Sequence, residues 1–287
     1  MSLFLFLFIA ALLTKTAAIH QLAFSGGGSF GAVEIGILKH LIDVGLPPSD
    51  LYTGISAGAL NAGFLSYYPD IRVGVNVAAN IYGSIRNRDI YELLPTTGIS
   101  LLNTMPLNHT LTDIIAKMPN QPVVHTLIGA VNLYSGNLDI FEYESAADCV
   151  AVLMASSAIP GAFPPISYLG AQYADGGTLS NELLQVEHRG DYLNITYITP
   201  YQGFIEDSTP ITNLKEMMGR TAAIVMANYN DPLTTMNQEC VDPIGEINKY
   251  FVRGEHLEGY NILNFDSGAA LVEIGRKYAE HEKYWIC

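Results

Sequence analysis

Positive charge is scarce in this sequence: 14 Lys and Arg stand against 28 Asp and Glu in 287 residues, a net charge of −14, and the basic residues form no run. Phosphate-backbone binding is built on clustered Lys and Arg, so nucleic acid is excluded as a partner. The same count disfavours electrostatic adsorption to an anionic membrane, so any lipid contact has to be apolar. Cysteine is scarce too. The three present, Cys149, Cys240 and Cys287, are odd in number and irregularly spaced, which gives neither a disulfide framework nor a zinc site. Cys149 lies in an apolar helical run and reads as a small core residue, and Cys240 and Cys287, both in C-terminal surroundings, are a candidate pair. Metal-ligand spacings such as H-E-x-x-H are missing, so no catalytic metal is expected. Repeats, low-complexity tracts and linkers are missing as well. With 49% hydrophobic and 15% charged residues, disordered, collagenous and coiled-coil classes are excluded, and one globular domain is expected.

One long hydrophobic run exists, at the N-terminus. Leu3 to Leu13 is almost purely Leu, Phe, Ile and Ala, and Thr14-Lys15-Thr16-Ala17-Ala18 follows with small residues. This reads as a secretory signal peptide over residues 1–18, ahead of a domain at 19–287 and a secreted or lumenal destination. An uncleaved anchor and a buried first helix are the competing readings, and the run is short of the ~20 residues a bilayer span needs. Asn108-His109-Thr110 and Asn194-Ile195-Thr196 are glycosylation sequons. The first reads as loop, whereas Asn194 opens an alternating strand pattern that works against access.

From His20 to Ser25 an apolar strand runs into Gly26-Gly27-Gly28-Ser29-Phe30-Gly31 and then a helix from Ala32 to Val44, stopped by Gly45-Leu46-Pro47-Pro48. A second strand, Leu51 to Ile55, enters Gly54-Ile55-Ser56-Ala57-Gly58 and a small-residue helix through Leu65. Two strand, glycine turn, helix units in succession predict an α/β fold around a largely parallel sheet. Helices broken by Pro95 and Pro106 are expected from Asp70 to Lys117, then a hairpin whose strands flank Ser135-Gly136-Asn137. Next come a helix from Ala146 to Ser157, a short strand at Gln172 to Ala174, a strand from Leu193 to Thr199 and helical spacing from Ile211 to Asn228. A strand at Tyr260 to Phe265 and a closing helix from Ala269 to Tyr284 complete the pattern.

Gly54-Ile55-Ser56-Ala57-Gly58 fits a G-x-S-x-G elbow, in which a sharp strand-to-helix turn holds a serine hydroxyl clear of the backbone and glycines remove the Cβ atoms that would block it. As a bare pattern it equally describes a tight turn, but its β-rich approach and small-residue helix favour the elbow. Gly26, Gly27 and Gly28 also sit between strand and helix, where backbone N–H groups can converge on an anion. A Walker loop is excluded by the lack of lysine before Lys39, and a dinucleotide fingerprint would have to draw weakly on Asp43 or Asp50. An oxyanion hole fits the nearby serine better. Histidine gives no clear base: His188 and His256 follow the elbow beside acidic residues and read as solvated surface groups. Asp175, in Asp175-Gly176-Gly177 at the end of a strand, is the stronger partner, although Asp-Gly alone is only a turn signal.

Together these residues resemble the patatin-like phospholipases, whose serine/aspartate dyad uses a G-G-G-x-x-G loop (here Gly26 to Gly31), a G-x-S-x-G elbow and a D-G-G motif. Ala155-Ser156-Ser157-Ala158-Ile159-Pro160-Gly161-Ala162-Phe163-Pro164-Pro165 is similar to that family's A-S-x-A-x-P-x-x-F-P-P segment. The resemblance runs from about His20 to the final helix. It implies a central sheet sandwiched between helices and a lipid acyl hydrolase without cofactor. Ser56 would be nucleophile, Asp175 general base, and the N–H groups of the glycine loop the oxyanion donors, with Ala57 N–H as an added one. It also implies that partial burial raises the Asp175 pKa. The lipid substrate would be met at a membrane or micelle surface, with Leu93-Leu94, Leu101-Leu102 and Met105-Pro106-Leu107 forming either an interfacial mouth or part of the core. Phe30 departs from the family, many of whose members carry Lys or Arg there. A catalytically idle lipid-binding or storage protein is the alternative from another class, and a Ser-Asp-His esterase using His188 or His256 is the third.

Overall fold

A computed structural model describes residues 19–93, 98–119, 121–184, 193–202, 210–228 and 245–286. The leader, Pro95, His188, Cys240 and Cys287 lie outside the described residues.

Strands β1 (Ile19–Phe24), β2 (Leu51–Ile55) and β5 (His125–Asn132) run parallel side by side, and β9 (Leu193–Ile198) and β10 (Gly245–Phe251) extend the parallel set on the other side of β1. Four antiparallel strands finish a nine-stranded sheet of order β11-β10-β9-β1-β2-β5-β8-β7, with β6 (Leu138–Phe141) on β5. They are β6, β7 (Ile166–Tyr168), β8 (Ala171–Asp175) and β11 (Glu280–Ile286). A two-stranded ribbon of β3 (Glu92–Leu93) and β4 (Leu102–Asn103) stands apart. The expected α/β architecture is the one observed.

Helix α1 (Gly31–Val44) is buried along most of its first two-thirds, where Val33, Ile35, Ile37, Leu38 and Leu41 recur too densely for one solvent face. Gly45, in the left-handed region at φ 102°, closes it. Next are α2 (Ala57–Leu65), α3 (Ile71–Ser84), the short α4 (Asn87–Ile90) and α5 (Met105–Ile115). They are followed by α6 (Ala146–Ser156), α7 (Leu214–Asn228) and α8 (Gly268–Tyr278). None of the described helices is long and apolar enough to cross a membrane.

Several local expectations are corrected. Pro106 does not break a helix but sits in the first turn of α5, where its missing N–H costs nothing. Asn108 is consequently helical rather than in a loop, because Leu107, Leu111 and Ile115 carry that segment's apolar face into the core. Asn194 lies on β9 between two paired strands, and its Oδ1 is buried without a hydrogen-bond partner among the described residues. No strand forms over 260–265, since Asn261 Oδ1 and Asn264 Oδ1 accept the N–H groups of Leu263 and Asp266 and bend the chain locally. The closing helix ends at Tyr278, and Glu280–Ile286 turns back as an antiparallel edge strand on β10.

Of the apolar residues read as mouth or core, Leu102 and Leu107 are buried while Leu93 and Met105 are exposed. Leu94 is outside the described residues. Cys149 is a buried free thiol, pushed up to about 11 by that burial, so it behaves as the expected core residue.

Candidate active site

The sheet register brings the serine and the aspartate together. Strand β2 runs along one edge of β5 as far as Ile55 opposite Gly129, and there it gives way to the antiparallel β8, whose Asp175 pairs with Ala130, the next residue of β5. Two strands therefore meet end to end, one delivering Ser56 and the other Asp175. The Ser56 hydroxyl donates to Asp175 Oδ2 at 2.6 Å. Ser56 occupies φ 53° and ψ −121°, a strained conformation for a residue with a side chain, as a nucleophile elbow requires. Gly58 makes the turn possible, because a methyl there would stand 2.4 Å from the Ser25 carbonyl oxygen.

Asp175 is 1% exposed with no cation beside it among the described residues. Burial pushes its carboxyl up to about 7, against the opposing pull of hydrogen bonds from Ser56 and the Gly177 N–H. The A-S-S-A-I-P segment holds both partners. Ser156 Oγ accepts the Ser56 N–H at 2.9 Å and donates to the Gly129 carbonyl, while the Ala158 carbonyl accepts the Asp175 N–H.

The glycine loop follows β1, next to the elbow at the carboxyl ends of neighbouring parallel strands, where open α/β sheets place their ligands. Its three glycines are not equivalent. The Gly26 N–H is donated to the Asn181 carbonyl at 3.3 Å, and Asn181 Nδ2 returns a bond to the Gly26 carbonyl at 3.0 Å. Gly26 is thus anchored from both sides, which corrects its expected place among the free donors. The N–H groups of Gly27, Gly28 and Ala57 have no hydrogen-bond acceptor among the described residues. Gly28 has φ 57°, and a methyl on it would meet the Ile262 carbonyl oxygen at 2.3 Å. Phe30 turns into the core and packs edge-on against Tyr201, so this position of the loop is an apolar contact. Gly176 and Gly177 open a 3-10 turn directly after Asp175.

Behind the loop lies a group that the sequence patterns did not single out. Glu34 on α1 is fully buried, with its carboxyl pushed well above the usual range by desolvation. Its oxygens accept the Ser25 N–H and Asn61 Nδ2, both at 2.9 Å, and Asn61 also donates to the Gly31 carbonyl and accepts from the Tyr82 hydroxyl. One carboxyl therefore ties the start of the glycine loop to the helix that follows Ser56. The available signal was an acidic residue near the start of a helix whose first two turns are otherwise apolar. Glu34→Ala would strand two buried donors at about 1–3 kcal/mol each, so its denaturation midpoint should fall well below wild type. An unchanged midpoint would show that the network carries no stability.

His256 stacks on Tyr278 at 3.9 Å between centroids and faces Glu255. No histidine bonds to Ser56 or Asp175 among the described residues.

The family model for patatin-like phospholipases matches residues 22–186. Among solved structures, VipD from Legionella pneumophila is similar over 92% of this chain and 68% of its own, at 12% identity and a TM-score of 0.44. The heterodimeric ExoU–SpcU complex from the type III secretion system of Pseudomonas aeruginosa aligns over 93% of this chain and 53% of the matched chain, at 13% identity and a TM-score of 0.30. No curated protein is significantly similar.

Proposed function

The chain belongs to the patatin-like phospholipase family, a membership that indicates lipid acyl hydrolase chemistry, and from that premise we propose that it cleaves fatty-acyl esters of phospholipids or other glycerolipids through Ser56 and Asp175. The observation carrying this reading is the 2.6 Å hydrogen bond from Ser56 Oγ to a buried aspartate whose carboxyl is pushed up to about 7. An aspartate at its ordinary pKa is a poor base, whereas one near neutrality is matched to its task.

Ionised Asp175 takes the Ser56 proton as Oγ attacks the ester carbonyl carbon. The negative charge developing on the carbonyl oxygen falls to the N–H groups of Gly27, Gly28 and Ala57, aided by the positive end of α2. Collapse of the tetrahedral intermediate breaks the bond to the leaving alkoxide, which receives the proton from Asp175 and departs as alcohol. Asp175 then removes a proton from water, which attacks the acyl-enzyme. Fatty acid leaves, and the proton returns to Ser56.

Fatty-acid release from phosphatidylcholine vesicles and from monoacyl esters tests the reading. Wild type and His256→Ala should release acid at equal rates. Loss of turnover in His256→Ala would favour the histidine esterase, and a folded wild type inert on every ester would favour the idle lipid-binding protein.

A further inference from the structure

A pocket of about 350 Å³ opens on the catalytic aspartate. One face of α7 forms a wall of it, with Leu214, Met217, Met218 and Thr221 at helical spacing, and Asp175 and Thr178 also line it. At the ~30 Å³ that a water-sized group occupies, the space holds on the order of a dozen such groups, enough for a glycerol and the first carbons of a chain attached to it. Leu214 and Met217 are exposed, so the apolar wall continues to the surface.

The path of the proton decides which part of an ester enters this pocket. In the Ser56/Asp175 reading, the proton that Asp175 takes from Ser56 passes to the leaving oxygen, so that oxygen comes within hydrogen-bonding reach of the Asp175 carboxyl. Because Asp175 lines the pocket, the pocket is the compartment of the leaving alcohol. In a glycerophospholipid the phosphate belongs to that alcohol, since cleavage of either acyl ester leaves it on the glycerol.

The pocket has no counter-charge for an anion. No Lys, Arg or His lines it among the described residues, and the side chains that add polarity beside Asp175 are the neutral hydroxyls of Thr178 and Thr221. The two basic residues of α7, Lys215 and Arg220, are not part of the lining. Lys215 donates to the Tyr91 hydroxyl, with its Nζ 4.9 Å from the centroid of that ring. The sequence on either side of α7 adds no cation, since residues 203–209 and 229–244 contain no Lys, Arg or His. A phosphate drawn into the pocket would give up water without a partner. It would also face the Asp175 carboxylate, whose negative charge the first step needs, and would hold that base in its protonated form. We propose that the site prefers uncharged acylglycerols to phospholipids, with the released glycerol in the α7 pocket and a remaining chain running out along Leu214 and Met217. This preference rests on the Ser56/Asp175 reading.

Turnover of dioleoylglycerol, dioleoylphosphatidylcholine and dioleoylphosphatidylglycerol in mixed micelles of a non-ionic detergent tests the preference. The kcat/KM for the diacylglycerol should exceed that for phosphatidylcholine by about tenfold, and phosphatidylglycerol, whose charge is uncompensated, should be slower still. Thr221 is exposed, so a longer side chain is tolerated there. Thr221→Lys places an ammonium in the pocket and should raise the phosphatidylglycerol-to-diacylglycerol ratio by about fivefold, the scale of a partly exposed ion pair, and added salt should reverse the gain. Thr221→Met, with added length but no charge, should not raise it. Equal or faster hydrolysis of either phospholipid by wild type overturns the preference, and a folded, active Thr221→Lys with the wild-type ratio overturns the pocket assignment. Turnover of p-nitrophenyl butyrate, lost in Ser56→Ala, shows separately that the dyad works. If wild type hydrolyses no ester, binding of the two product alcohols to Ser56→Ala decides the matter. Monooleoylglycerol bound more tightly than oleoyl-lysophosphatidylglycerol keeps the pocket assignment while the hydrolase reading falls, and equal or reversed affinities remove both.

Discussion

Ser56→Ala should reduce ester turnover by about 10⁴-fold or more, with little loss of stability. The Ser56 hydroxyl is the one group in the described site that is both poised to attack and hydrogen-bonded to a buried carboxyl. The main-chain contacts that shape the elbow remain in the variant: the Ser156 bond to the residue 56 N–H, and the close approach of Gly58 to Ser25, which has no side chain in its way. Hydrolysis of phosphatidylcholine vesicles followed by titration of released acid, alongside a thermal melt, checks both halves. A variant with more than a few per cent of wild-type activity would place the nucleophile elsewhere.

The second large effect belongs to Asp175. Asn at this position can still accept the Gly177 N–H, but its amide nitrogen then faces Ser56 Oγ and can only donate, so the hydroxyl proton has no base. Activity should fall by about 10²–10⁴-fold. The same residue sets the pH response. With the carboxyl pushed up to about 7, wild-type kcat/KM should rise about tenfold per pH unit on the acid side and level off above neutrality. The sign for stability is the reverse. A carboxyl whose pKa is higher in the fold than in the unfolded chain is bound to its proton more tightly when folded, so its contribution to stability declines as pH rises from about 4 to about 7. Asp175→Asn removes that decline. It should therefore be at least as stable as wild type at pH values above neutrality while lacking activity, a combination that simple misfolding would not produce. A wild-type pH–rate profile flat from acid to neutral would contradict the role of Asp175.

How much of this was legible in the sequence depended on range. Gly26 to Gly31, the serine elbow and Asp175-Gly176-Gly177 are local signals, each a strand running into a turn that only small residues allow, and the structure places all three at one end of the sheet. The hairpin around Gly136 was equally local, and β5 pairs β6 in the expected way. Charged edge strands were not legible. Glu280–Ile286 carries Glu, His, Glu and Lys on a solvent-facing edge, so it lacks the apolar alternation that marks a half-buried strand and reads as an extension of α8. Over 260–265 the apolar Tyr260, Ile262, Leu263 and Phe265 suggest a strand, but two asparagines bond to backbone N–H groups two residues on and bend the chain instead. Within the site, the serine, the aspartate and the glycine loop carry local sequence signals, and the groups that hold them in place do not. Nothing in the spacing of Glu34, Asn61, Ser156 or Asn181 shows that they hold the loop and the elbow, because each acts on residues distant in sequence. The unequal roles of Gly26 and its two neighbours belong to the same category.

The most direct test of the account is to expose the protein, without substrate, to a fluorophosphonate that reacts with activated serine hydroxyls, and to map the adduct by peptide mass spectrometry in wild type, Ser56→Ala and Asp175→Asn. One adduct is expected in wild type, on Ser56, none in Ser56→Ala, and strongly slowed labelling in Asp175→Asn. An adduct on another serine, or a folded wild type that hydrolyses lipid esters while Ser56 stays unmodified, would contradict it.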